Sequence, residues 1–272
     1  MKCAECGLRP VASTVGRCTR CAAMYPSPPD GLMAAAPAPP AEWNRLRSPL
    51  GLSRAVAALL GAVVVTDVVA LAAGANIRRE YKGLGGTLPF DPGPAIRAEN
   101  LYGMAGGLQT LALLATAVVF IIWFHRVRVN AEVFDAGVQP MRPGWAIGAW
   151  FVPFGNLWLP RRVAGGVWAA SARTDRDGSR RAVSHAPLDL WWTLWVVATL
   201  FSQVATRIYA HSELPSETRD AVALVMAADA LDIAAAVLAI LLVRKLTRMQ
   251  GERAALGATP LSAPSPTGPA PV

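Results

Sequence analysis

Residues Leu101–Phe124, LYGMAGGLQTLALLATAVVFIIWF, contain no charged side chain and stop abruptly at His125-Arg126-Val127-Arg128. A helix rises 1.5 Å per residue, so about 20 apolar residues cross a hydrocarbon layer of about 30 Å. A run this apolar all round belongs inside a bilayer, and basic residues at its end place that end in the cytosol. The rest of the chain agrees. Only 16% of its 272 residues are charged and the mean hydropathy is +0.35, whereas roughly a quarter of residues are charged in an average soluble domain.

Three further spans follow from the same reasoning: Ala55–Ala75 with Asp67 inside it, Leu190–Ile208 with Arg207 near its end, and Ala221–Val243 with Asp229 and Asp232, stopped by Arg244-Lys245. Lys and Arg counts orient them. With both termini cytosolic, the inner segments hold seven basic residues before the first span, nine in the central loop and four after the last. Six of the 26 then fall outside or at its edge: Arg78, Arg79, Lys82, Arg97, Arg207 and Arg219. This bias predicts both termini inside the cell. It also accounts for the net charge of +8 through topology and contact with anionic lipid, and disfavours nucleic acid as the partner. The N-terminal MKCAECG lacks the apolar stretch of a secretory signal, so the first helix is expected to serve as an uncleaved signal-anchor.

The chain divides by composition. Residues 1–24 form a small polar head. Residues 25–50 form a linker rich in Pro and Ala, too poor in large apolar residues to build a core. Residues 51–250 hold the four-span membrane domain, and 251–272 read as a disordered tail ending LSAPSPTGPAPV. The head carries every cysteine, as Cys3-x2-Cys6 and Cys18-x2-Cys21. Two such knuckles supply four thiolates, a closed tetrahedral shell for a structural zinc ion. The eleven residues Gly7–Arg17 between them are fewer than in the commonest ribbons, but Gly7 and Gly16 relieve the turn. Disulfides are disfavoured in a reducing cytosol. A head this small needs the metal to fold, which predicts a zinc-ribbon-like unit.

Gly144–Leu159, GWAIGAWFVPFGNLWL, is apolar but short and broken by Pro153, Gly155 and Asn156. A fifth span here would put Arg161, Arg162 and the basic 173–181 loop outside and reverse the charge bias. With four spans, all nine tryptophans fall at or near the inner interface, the depth that suits an apolar ring with one N–H donor. Residues 144–170 therefore read as an interfacial or re-entrant Trp-rich hairpin under the bundle.

The central block carries Trp123-Phe124-His125-Arg126, Asn130, Pro143-Gly144-Trp145, Trp150-Phe151-Val152-Pro153, Asn156-Leu157-Trp158, Pro160-Arg161 and Trp168. In these residues the chain resembles a bacterial membrane-protein family known only as domain of unknown function 4328, over roughly residues 50–250. The resemblance implies a multi-span membrane domain, with a cysteine-rich head in some members. It implies no activity.

Asp67, Asp229 and Asp232 lie inside spans, the last two on one helix face. A lone carboxylate at that depth costs several kcal/mol, so each is expected to be protonated, paired or wet, with Gln109 and Arg207 as candidate partners. The cluster reads first as structural glue between helices and second as a proton or cation site. Gly103-x3-Gly107, Ala57-x3-Gly61 and Gly144-x3-Gly148 permit close helix approach, expected within the bundle, with homo-oligomerisation the alternative. His125, His185 and His211 are scattered, and no hydrolase, zincin or nucleotide-binding motif occurs. The chain is thus expected not to be an enzyme. It reads as an all-α membrane scaffold or regulatory protein that sits in the lipid bilayer and engages a cytosolic protein through its zinc head. The alternative is a small channel or transporter.

Overall fold

The computed structural model describes residues 45–83, 91, 93–172 and 183–258, together with Thr19. The cysteine head, most of the linker and the tail beyond residue 258 lie outside the described residues. Six α-helices account for most of what is described: α1 Leu50–Gly83, α2 Gly93–Phe134, α3 Trp145–Gly148, α4 Leu159–Ser171, α5 Ala186–Ala210 and α6 Pro215–Ala258. No strand occurs among the described residues.

Local chemistry sets the helix ends. Ser48 Oγ accepts from Leu50 N at 3.4 Å, and Pro49 stands where a missing N–H is harmless. Asp91 accepts from Gly93 N at 2.9 Å at the start of α2. Ser184 accepts from Ala186 N at 3.2 Å ahead of Pro187, the second residue of α5. Glu217 reaches back from the first turn of α6 to the amides of Glu213 and Leu214 at 3.2 and 3.3 Å.

Helices α1, α2, α5 and α6 are each long and apolar enough to cross a membrane. Their apolar windows are only 17–28% buried inside the chain. Leu111 on α2, Val65 on α1, Val204 on α5 and Leu241 on α6 are all more than half exposed. An apolar surface that continuous around a bundle has to face lipid, because monomeric soluble proteins rarely expose more than a few hundred Å² of it. The chain is a membrane protein. Helix α1 packs along α2 and along α6, and α6 packs along α5. The helices exceed the expected spans: α2 has 42 residues, about 63 Å of helix against a hydrocarbon layer of about 30 Å. Helix α6 runs on to Ala258, so residues 251–258, expected to open the disordered tail, are helical. Arg253 holds this extension by donating to Ala172 O at 2.8 Å.

Residues 135–158 do not make a fifth span. They contain a 3-10 turn at Ala136–Val138, the four-residue α3 and a second 3-10 turn at Gly155–Leu157. Between these turns Phe154 adopts φ 60°, ψ −40° and Gly155 N bonds Pro153 O at 2.6 Å, a γ-turn with positive φ that bulky residues rarely accept. The turn throws Phe154 outward, 80% exposed, beside Phe151 at 72%. Glycine suits the next position, since a Cβ on Gly155 would sit 2.8 Å from Val152 Cγ1 and 2.9 Å from Leu159 Cδ1 and force those side chains to shift. Trp192 Nε1 donates to Leu157 O at 3.0 Å and fastens the segment under α5.

The small-residue motifs behave differently from expectation. A Cβ on Gly61, Gly103, Gly107, Gly144 or Gly148 would meet nothing within 4 Å, so none of these glycines mediates helix packing among the described residues. Close approach occurs instead at Gly74, where a Cβ would come within 2.9 Å of Met226 Cγ on α6. Gly103 and Gly107 lie on the lipid-facing side of α2, beside exposed Met104 and Leu108, and helix faces there need no partner within the chain.

Candidate functional site

Asp67 on α1, Gln109 on α2 and Asp229 on α6 meet inside the bundle. Gln109 Nε2 donates to Asp67 Oδ1 at 2.9 Å and to Asp229 Oδ1 at 3.0 Å. One amide thereby uses both its N–H bonds to join three helices. Asp67 is 2% exposed and Asp229 6%, and the second oxygen of each has no hydrogen-bond partner. Asp232, one turn further along α6, is half-buried. Arg207 does not join them. It is exposed on α5 and lines a surface depression with His211 and Glu217. The sign of the charge alone suggested that pairing; α5 turns Arg207 away from the acids. The three acids sit beside one neutral amide, and they do not converge as a metal site: no group of three metal-ligating side chains occurs among the described residues.

Asp232 opens onto a cleft of about 350 Å³. Its floor is α1 and α6, and its walls are α2 and α5, which do not pack along each other. One end is aromatic: Phe120, Trp150, Trp191 and Trp195 line it, with ring centroids of 5.7 Å for Phe120–Trp150, 6.0 Å for Phe120–Trp191 and 5.6 Å for Trp150–Trp195. The other end holds Thr199, Ser202, Gln203 and Asp232.

The second polar assembly gathers at the C-terminal ends of α2, α4 and α6. Gln250, 1% exposed, donates to Val127 O at 2.8 Å and Ser171 Oγ at 3.3 Å. Asn130 Nδ2 donates to Gln250 Oε1 at 3.2 Å and Arg47 O at 2.9 Å, while Arg47 N donates to Asn130 Oδ1 at 3.1 Å. Trp123 Nε1 donates to Thr247 Oγ1 at 3.3 Å. Arg128 bonds Glu132 at 2.7 Å and the Met141 carbonyl. Because Arg47 precedes α1 and Gln250 lies near the end of α6, both ends of the described bundle are on one side. Gln250, Ser171 and Thr247 were not singled out in the sequence, and Arg128, expected there as a basic residue ending the span, is 1% exposed. A signal exists: Ala239, Leu242, Val243 and Leu246, all buried, form a stripe at helical spacing whose next places are Thr247 and Gln250.

The sequence-motif residues take distinct positions. Trp123, Asn130, Pro160 and Trp168 are buried, and Lys245 Nζ lies 5.2 Å from the centre of the Trp168 ring. Arg126 reaches Ser48 O at 3.4 Å. Trp150 packs against Phe120, Phe124, Trp192 and Trp195. Pro153 and Asn156 flank the γ-turn, and Trp145 and Trp158 are 39% and 57% exposed. The fold and these sites define a class: a helical membrane protein with four spans, an intramembrane carboxylate cluster and a tryptophan-rich end. The chain belongs to the family described as Domain of unknown function (DUF4328), whose model matches residues 87–248. The match starts after α1, later than the residue 50 expected. No curated protein and no solved structure matches the chain.

Proposed function

We propose that this protein is a non-enzymatic membrane scaffold or regulatory protein, with a cytosolic zinc-binding head that recruits a protein partner. The observation that carries this reading is the Asp67–Gln109–Asp229 bridge, in which buried carboxylates share one amide across three helices. Such a bridge holds a bundle in one arrangement. The head's donor set, Cys3, Cys6, Cys18 and Cys21, suits zinc: four soft thiolates and no open position favour a structural ion. The reading is tested with the full chain and Cys3→Ser in native membranes. Wild type should carry one zinc per chain and co-purify with a cytosolic partner that Cys3→Ser loses. Proton flux in reconstituted vesicles should match empty vesicles. Zinc near zero under reducing conditions sinks the head. Flux that Asp67→Asn abolishes, in protein that still folds, replaces the scaffold with the channel or transporter reading, which the opening of Asp232 onto the cleft favours.

Both termini and the 125–188 segment are proposed to be cytosolic. The distribution of basic residues supports this, and so do Phe151 and Phe154, whose exposed rings suit insertion among lipid headgroups beside Arg161 and Arg162. Single cysteines at Asp175 and Leu214 in a background without the native four should label from opposite sides of the membrane. Labelling from one side rejects the four-span topology.

A further inference from the structure

The cleft between α2 and α5 is polarised along its length. Trp191 and Gln203, both in its lining, are twelve residues apart on α5, which is about 18 Å of helix. Trp191 is the sixth residue of α5, at the start of the span expected from Leu190, where Trp favours the interface. Asp232 lies at the far end of the cleft, within the apolar stretch of α6. A phospholipid has the opposite order, with its charge at the surface and its chains deep, so lipid is a poor match. The acid end also lacks counter-charge. Among the described residues no lysine or arginine lines the cleft, and Gln109, the amide nearest the acids on α2, spends both its protons on Asp67 and Asp229, leaving none for Asp232. A positive group is the natural complement. The aromatic lining at the other end of the cleft matches the body of an organic cation, which a bare metal ion lacks. The volume of about 350 Å³ falls at the lower end of small-molecule sites, roughly 300–1,000 Å³.

We infer that this cleft is a binding site for an amphiphilic organic cation, entering sideways between α2 and α5. A protonated amine pairs with Asp232 beside Gln203, and an apolar or aromatic body extends toward Phe120, Trp191 and Trp195. The aromatic end supplies contact area and ring edges for that body. The site goes beyond the scaffold reading and makes the bundle responsive to a ligand.

The experiment uses the full chain in nanodiscs of phosphatidylcholine, which carries no net surface charge. Two probes of equal shape are titrated at neutral pH, 4-phenylbutylamine and 4-phenylbutanol, with tryptophan fluorescence and calorimetry as readouts and empty nanodiscs subtracted. The amine should saturate one site per chain. The alcohol should bind at least about ten-fold more weakly, the effect of losing one charge-assisted hydrogen bond. Asp232→Asn should reduce the amine to the affinity of the alcohol while leaving the alcohol's own affinity in place. Equal affinity of amine and alcohol for wild type overturns the proposal and marks the cleft as a general apolar groove. So does amine uptake that never exceeds empty nanodiscs, or amine affinity unchanged in Asp232→Asn. The comparison of the two probes on wild type needs no variant to fold.

Discussion

Gln109→Leu will destabilise the bundle by about 3 kcal/mol, and Asp67→Asn by about 1 kcal/mol or less. The difference follows from what each change strands. Gln109 is the donor for two carboxylates, at 2.9 and 3.0 Å. Leucine leaves both acids, already 2% and 6% exposed, with no hydrogen bond at all in a low-dielectric interior. Hydrogen bonds to charged groups are worth about 1.5–3 kcal/mol each, and a buried group left unmade adds its own desolvation cost. Asp67→Asn keeps an acceptor facing Gln109 and removes a charge. The loss is then nearer that of an ordinary intramembrane hydrogen bond, averaging about 0.6 kcal/mol. Asp67→Leu should fall between them and lower the yield of folded protein. Thermal unfolding in nanodiscs, read by tryptophan fluorescence, ranks the three. If Gln109→Leu melts within a degree or two of wild type, the bridge contributes nothing and the carboxylates are satisfied in some other way.

Gln250→Glu will be the most damaging single-atom-scale change outside the spans, and more damaging than Gln250→Leu. The side chain is 1% exposed and works in two directions: it donates to Val127 O and Ser171 Oγ and accepts from Asn130. Glutamate keeps the shape but places a charge there and turns the contact with the Val127 carbonyl into acceptor against acceptor. An uncompensated buried charge costs about 3–5 kcal/mol. Leucine forfeits three bonds of about 1 kcal/mol each but regains part of that by apolar burial, leaving a net loss of about 2 kcal/mol. Asn130 keeps both bonds to Arg47 in either variant, so α1 should stay docked while α4 loosens from α6. Hydrogen exchange should show faster exchange in α4 than in the apolar parts of α5 and α6. Equal protection of α4 in wild type and Gln250→Glu would contradict the assigned role.

The chain's apolar runs were sufficient to locate four membrane helices, because a bilayer tolerates only closed backbone hydrogen bonding and about 20 apolar residues in a row. The failure of 144–159 to span was legible too, in Pro153, Gly155 and Asn156 within a stretch too short to cross. Which acids would meet was legible only in part. Counting residues along each helix puts Asp67 and Asp229 inside their spans. The direction a side chain points around the helix depends on how the helices are rotated against their neighbours. That rotation joined Gln109 to the acids and turned Arg207 outward. It also left Gly103 and Gly107 facing open space while Gly74 took the close contact. The cleft belongs to tertiary structure altogether: its lining comes from four helices and the hairpin, and it exists because α2 and α5 each pack on a neighbour and not along each other. Composition determines that a segment lies in the membrane, since transfer free energy is summed along one helix. The interior of the bundle is decided by packing between helices, a property of pairs of surfaces that no single segment carries.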